Sequence, residues 1–184
     1  VTAQLHFQPF ELNPSMGPGG QDVTEHLTQK YGSTPEQQAA SRDAIRERGA
    51  TVGFAFRKEG RSRIYNTFNA HRLLHWAGLE SADRQLALKK ALLKAYFTDG
   101  RSPEDLDVLA QAAADAGLVA SRARAILESE EYAEEVRYQE GYYMEHGIHA
   151  VPAVIINDRH LIQGGQPPEV FEQALRRIAS GAAA

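Results

Sequence analysis

Four consecutive apolar residues, Ala153-Val154-Ile155-Ile156, stand out near the carboxy terminus. A short, mostly β-branched run of this kind predicts a strand buried on both faces. Asn157-Asp158 follows, a pair that tolerates left-handed backbone, and His160-Leu161-Ile162-Gln163 then predicts the returning strand of a hairpin. Pro152 stands at the mouth of the first strand, where its missing N–H costs no ladder bond. A trans bond is the generic expectation there, because only about 5% of X–Pro bonds in folded proteins are cis. At the other end of the chain Val1, Ala3, Leu5 and Phe7 alternate with Thr2, Gln4, His6 and Gln8. That alternation predicts a strand with one apolar face, ended by Pro9.

The residues between these strands read as helices. Asp22 with Glu25 predicts a capped helix start, and Gly32 its stop. Thr34, Pro35 and Gln37 open a second helix that ends near Arg48-Gly49. Val52, Phe54 and Phe56 alternate over a brief extended piece. Asn66 predicts the cap of a helix carrying Phe68, Ala70, Leu73, Leu74 and Ala77 and stopped at Gly78. Ser81 opens the next, through Leu86, Leu88, Leu92, Leu93 and Tyr96 to Gly100. Ser102-Pro103-Glu104-Asp105 starts another, ended by Gly117. Ser121 to Glu128 and Ser129 to Glu145 predict two helices or one bent one, and Pro167-Pro168 precede a last amphipathic helix. The tail from Gly181 to Ala184 is expected to fray.

Composition narrows the function classes. A chain of 184 residues can bury one real core, and its formal net charge of −4 offers no basic surplus to neutralise phosphates, so nucleic acid is not an expected partner. No run approaches the roughly 18 apolar residues of a membrane span, so a membrane is not expected either. The chain has no cysteine, which rules out thiolate catalysis, disulfides and cysteine–zinc sites by these residues.

Candidate chemistry is sparse. His71 and His75 share a helical face at i,i+4, a spacing that suits zinc, but Arg72 stands where a metalloprotease has Glu, and no third ligand can be named. No metal is expected. His146 and His149 flank a helix end, where the helix dipole accounts for a cationic side chain. Glu128, Glu130, Glu131, Glu134, Glu135 and Glu140 read as a solvated acidic face. Tyr138, Tyr142 and Tyr143 either line a groove or pack.

Three stretches taken in order carry a resemblance: Pro9-Phe10-Glu11-Leu12-Asn13-Pro14, Asn66-Thr67-Phe68-Asn69-Ala70-His71-Arg72-Leu73, and Gly147 to Asn157 followed by Gly164-Gly165-Gln166. Together they resemble the DsbA family, most closely its FrnE-like branch. The resemblance implies an α/β, thioredoxin-like fold with a large inserted helical domain. Residues 1–14 and 141–180 would form an incomplete thioredoxin-like domain, and residues 15–140 the insertion. Val1–Leu12 would be the family's second strand. The first strand and first helix, with the Cys-x-x-Cys motif, have no counterpart in the sequence. In the family that first strand is central, so its loss would leave buried edges unpaired. A preceding segment of about 30–40 residues, enough for a strand and a helix, is therefore expected, or a second chain that supplies it.

By the same resemblance Val151-Pro152 is expected to be cis. Together with Ala150 it would hold the backbone of a substrate. Arg72 would bind a substrate anion and His71 adjust a nearby thiolate, unless the two are simply a surface Arg and a hydrogen-bonded His on an ordinary capped helix, the reading that stands ahead. The expected function is thiol–disulfide oxidoreduction with a protein or small-molecule thiol, with no catalytic residue in these 184. Two alternatives stay open. One is a glutathione-dependent isomerase like the 2-hydroxychromene-2-carboxylate isomerases, and the other a non-catalytic peptide-binding module. No tightly bound cofactor is expected, glutathione serving as substrate or co-substrate. A homodimer is left open, and a cytoplasmic location fits the FrnE-like branch.

Overall fold

The computed structural model describes residues 1–181; most of the tail expected to fray, residues 182–184, lies outside the described residues. The core is helical. α1 (Val23–Tyr31) and α2 (Pro35–Thr51) come first, then α3 (Phe68–Glu80), α4 (Ala82–Leu93), α5 (Leu106–Asp115), α6 (Ala120–Leu127) and α7 (Ala133–Glu145). On α3, Ala70, Leu73, Leu74 and Ala77 fall at helical spacing on one face. On α5, Leu109, Ala112, Ala113 and Ala116 do the same. These stripes meet Leu88 and Leu92 of α4 and Ala123, Ile126 and Leu127 of α6 in one cluster. α7 lies against α3 and buries Val136 completely.

Local chemistry sets several helix ends. Asp22 accepts from the backbone N–H groups of Thr24 and Glu25, and Gly32 closes α1 in a left-handed conformation. Thr34 and Gln37 form a reciprocal capping box on α2. Ser81 ends α3 and caps α4, accepting from the Arg84 N–H. Within the start signal Ser102–Asp105 the cap is Asp105, whose carboxylate takes the N–H groups of Asp107 and Val108. α4 runs into a π-helical turn, Lys94–Thr98.

Two small antiparallel sheets complete the fold. β1 (Gln21–Asp22) pairs with β2 (Arg63–Ile64), clipping α1 beside the entry to α3. Gly20, at a φ of 65°, precedes this clip, and a Cβ there would run into the Ile64 carbonyl. Gly20→Ala is therefore expected to lower the unfolding free energy by about 1–3 kcal/mol, read from urea denaturation. β3 (Ala153–Ile156) and β4 (His160–Gln163) form the expected hairpin, with Val154 opposite Ile162 and both Asn157 and Asp158 at positive φ. The last helix, α8 (Pro168–Ala179), follows.

Three expectations need correction. The apolar run of β3 is not buried on both faces: Ile155 is exposed and Val154 half-buried, because among the described residues the hairpin pairs only with itself. Val1–Phe10 forms no strand. Among the described residues no strand lies beside it, and the Gln85 side chain takes its ladder bonds instead. The Phe7 N–H donates to Gln85 Oε1 at 2.8 Å, and Gln85 Nε2 donates to the Phe7 carbonyl at 2.9 Å. Val52–Phe56 pairs with no strand either. Phe54 packs edge-on to Phe56, and Phe56 to Phe97.

Candidate functional site

The hairpin is entered through a short exposed loop that is pinned at both ends. α7 stops at His146, and Gly147, at a φ of 84°, turns the chain. Ile148 anchors the turn. Its side chain is buried and its N–H donates to the Tyr143 carbonyl at 2.9 Å. His149, Ala150, Val151 and Pro152 are exposed, and the Val151–Pro152 peptide bond is cis. On the far side the Pro152 carbonyl accepts from the Gly164 N–H at 2.8 Å. That bond ties the loop to the end of β4. Val151 makes no backbone hydrogen bond among the described residues, so its N–H and C=O are open to an extended chain laid alongside.

His71 and Arg72 stand elsewhere, in the first turns of α3. No hydrogen bond or ion pair joins either of them to Ala150–Pro152 among the described residues. His71 faces a pocket of about 140 Å³ between the amino-terminal segment and α3, which His6, Phe7, His75, Gln85 and Gln139 also line. Burial is the main cause that pushes the imidazole down to about 4, and the positive charges of Lys89 and Arg137 push the same way against a hydrogen bond to the Phe10 backbone. At neutral pH His71 is therefore uncharged and can only donate or accept a hydrogen bond. His75 Nδ1 lies 3.4 Å from Gln139 Oε1.

Arg72 is buried and fully engaged. Its Nε donates to the Glu131 carbonyl at 2.9 Å and its Nη1 to Asn69 Oδ1 at 2.9 Å, while Nη2 serves the carbonyls of Ile126 and Ser129. The guanidinium thus closes the break between α6 and α7, where Tyr132 sits at a φ of 62°. A fork of five donors suits three converging carbonyls and an amide oxygen better than a point charge does.

Gln85 is legible in the sequence, a polar residue in step with the apolar stripe of Leu88 and Leu92. Glu11 and Glu140 left no such signal, and Glu140 departs from the solvated acidic face expected of its helix, since only 11% of its side chain is exposed.

The DSBA-like thioredoxin domain family matches residues 1–176. No curated protein matches the chain. The crystal structure of a probable DsbA oxidoreductase from Streptomyces coelicolor superposes with a TM-score of 0.85 at 37% identity, covering 96% of this chain and 75% of that one. A putative protein disulfide isomerase from Nitrosomonas europaea superposes with a TM-score of 0.67, covering 86% of this chain and 89% of that one; at 22% identity this likeness is one of fold. The architecture is accordingly α/β and thioredoxin-like with a helical insertion. The chain belongs to the DSBA-like thioredoxin domain family.

Proposed function

We propose that this chain is the substrate-holding part of a DsbA/FrnE-like thiol–disulfide oxidoreductase. The observation that carries this reading is the loop at Ala150–Pro152. It is exposed, it is fixed by Ile148 and Gly164, and it presents an unengaged Val151 backbone. A substrate chain laid along Val151 pairs with it as a short strand, which holds the substrate sulfur in one place. Exchange then proceeds by attack of a thiolate on a disulfide sulfur: the new S–S bond forms as the old one breaks, and the leaving sulfur departs as a thiolate. The chain has no cysteine, so the attacking thiolate comes from residues outside these 184.

The unpaired edges of the β3–β4 hairpin offer a place where a strand bearing that thiol would dock. The substrate is a protein or small-molecule thiol, glutathione among them, and the setting is the cytoplasm. Among the described residues no helix is long and apolar enough to cross a membrane.

Substitution at Val151 tests the reading. The side chain is exposed, so Val151→Glu is expected to move stability by no more than about 0.5 kcal/mol. In the protein carrying its native flanking sequence, the same change should lower kcat/KM for dithiol–disulfide exchange about tenfold, mostly through KM. Exchange kinetics indifferent to Val151→Glu, or no exchange by the native protein, would overturn the assignment.

A further inference from the structure

The amino-terminal segment meets the helical domain at a second charged cluster, away from the Val151 loop. Arg137 of α7 lies over the Phe68 ring, 3.8 Å from its centroid. Its Nη1 donates to Glu140 Oε2 at 2.8 Å and also to Glu11 Oε2. Two carboxylates therefore converge on one nitrogen. Only 2% of the Glu11 side chain and 11% of that of Glu140 is exposed, and the Oε1 atom of each is buried with no donor among the described residues. With both acids ionised the cluster carries a net negative charge out of water beside two unsatisfied acceptors. Such an arrangement is costly on both counts.

We infer that Glu140 keeps its proton in the folded protein, beside the Arg137 that joins it to Glu11, and that this proton clasps the amino-terminal segment to α7. One proton removes the like-charge repulsion and turns an orphaned acceptor into a donor, while Arg137 still faces one carboxylate. The same logic governs paired acids elsewhere, in which two carboxyls at one site cannot both ionise freely. A larger cation fits the observations less well, since neither Oε1 is open to solvent. Burial, with the Glu11 charge second, holds the Glu140 carboxyl above the ordinary carboxylate range, against Arg137.

The clasp is one of several ties on the segment. Among the others are Gln85 on the Phe7 backbone, His71 on the Phe10 backbone, and Lys30, which donates to the Leu12 carbonyl and to Asn13 Oδ1. The charged groups that act on Glu140 are Glu11 and Arg137. Arg137 and Lys89 both act on His71.

The sign of the pH effect follows. The folded state binds a proton that the unfolded chain has released above about pH 4.3, so the stability this proton contributes falls as pH rises through the raised range. His71 runs the other way, because its depressed folded value makes stability rise with pH between about 4 and 6.5. The comparison must therefore be a difference between variants that share His71.

Glu140→Gln supplies the test. The amide keeps an oxygen for Arg137 and stays neutral at every pH, so it stands in for the protonated acid. The gap in midpoint between Glu140→Gln and the unmodified chain is expected to widen in favour of the variant from about pH 5 to about pH 8. A carbon-13 titration of the Glu11 and Glu140 carboxyls in the unmodified chain reads the proton directly and needs no variant to fold. One titration step above the ordinary carboxylate range supports the clasp. Two steps inside that range, or a midpoint gap that stays constant with pH, would overturn it.

Discussion

Replacing Leu109 with alanine is expected to lower the unfolding free energy by about 2–5 kcal/mol. Leu109 is fully buried on α5, inside the cluster that α3, α4 and α6 close from the other sides. Shortening it removes buried methyl groups, and the cavity left behind is lined by helices packed into one cluster. The site can therefore relax only in part. Leu109→Met, which nearly conserves volume, should cost less than about 1.5 kcal/mol. Urea denaturation of the two variants side by side separates the packing contribution from general disturbance. Equal losses in both would show that the core is not closed around this position.

Removing Arg72 is expected to cost about 3 kcal/mol, with a fall in melting temperature of roughly 6–12 °C. Its role is to satisfy acceptors where the backbone cannot. The Ile126 carbonyl keeps a second partner in Ser129, whose N–H and hydroxyl both reach it. The Ser129 and Glu131 carbonyls depend on the guanidinium. Arg72→Ala therefore strips donors from the α6–α7 junction and leaves a void in the protein interior. Arg72→Lys keeps the charge but offers three donors from one point, so it is expected to recover less than half of the loss. Full rescue by lysine would mean that charge, not the fork of donors, holds the junction.

Features written in local chemistry were legible in the sequence. The β3–β4 hairpin needs Asn157 and Asp158 at its turn, and both adopt positive φ. The Asp22 and Thr34 caps and the Gly32 stop each depend on residues three or fewer positions apart or on one backbone angle. Where the outcome depends on a distant partner, pattern misled. Val1–Phe7 alternates as a strand should, yet strand formation needs a neighbouring backbone, and Phe7 instead meets a side chain 78 residues away. Alternation at Val52–Phe56 likewise reflected an aromatic contact with Phe97 rather than a sheet.

The candidate site divides along the same line. Pro152 at the mouth of β3 is visible in the sequence, while a substrate-holding role for Ala150–Pro152 rests on the family resemblance. The engagement of Arg72 with three carbonyls, 54 to 59 residues away, was not visible. Nor was the burial of Glu140, one acid among many on an apparently polar helix. Its environment is set by Glu11, 126 residues from the Arg137 that both acids share.

The loop entering the hairpin carries the functional reading, and amide chemical shifts test it most directly. The 184-residue chain is titrated with a peptide whose single cysteine is S-methylated, so that binding is separated from exchange. The largest shifts are predicted at the amides of Ala150, Val151 and Ala153 and at Gly164, whose N–H reports on the Pro152 carbonyl. Shifts confined to the pocket around His71 and His75, or no shifts at all, would contradict the assignment of the loop as the substrate-holding element.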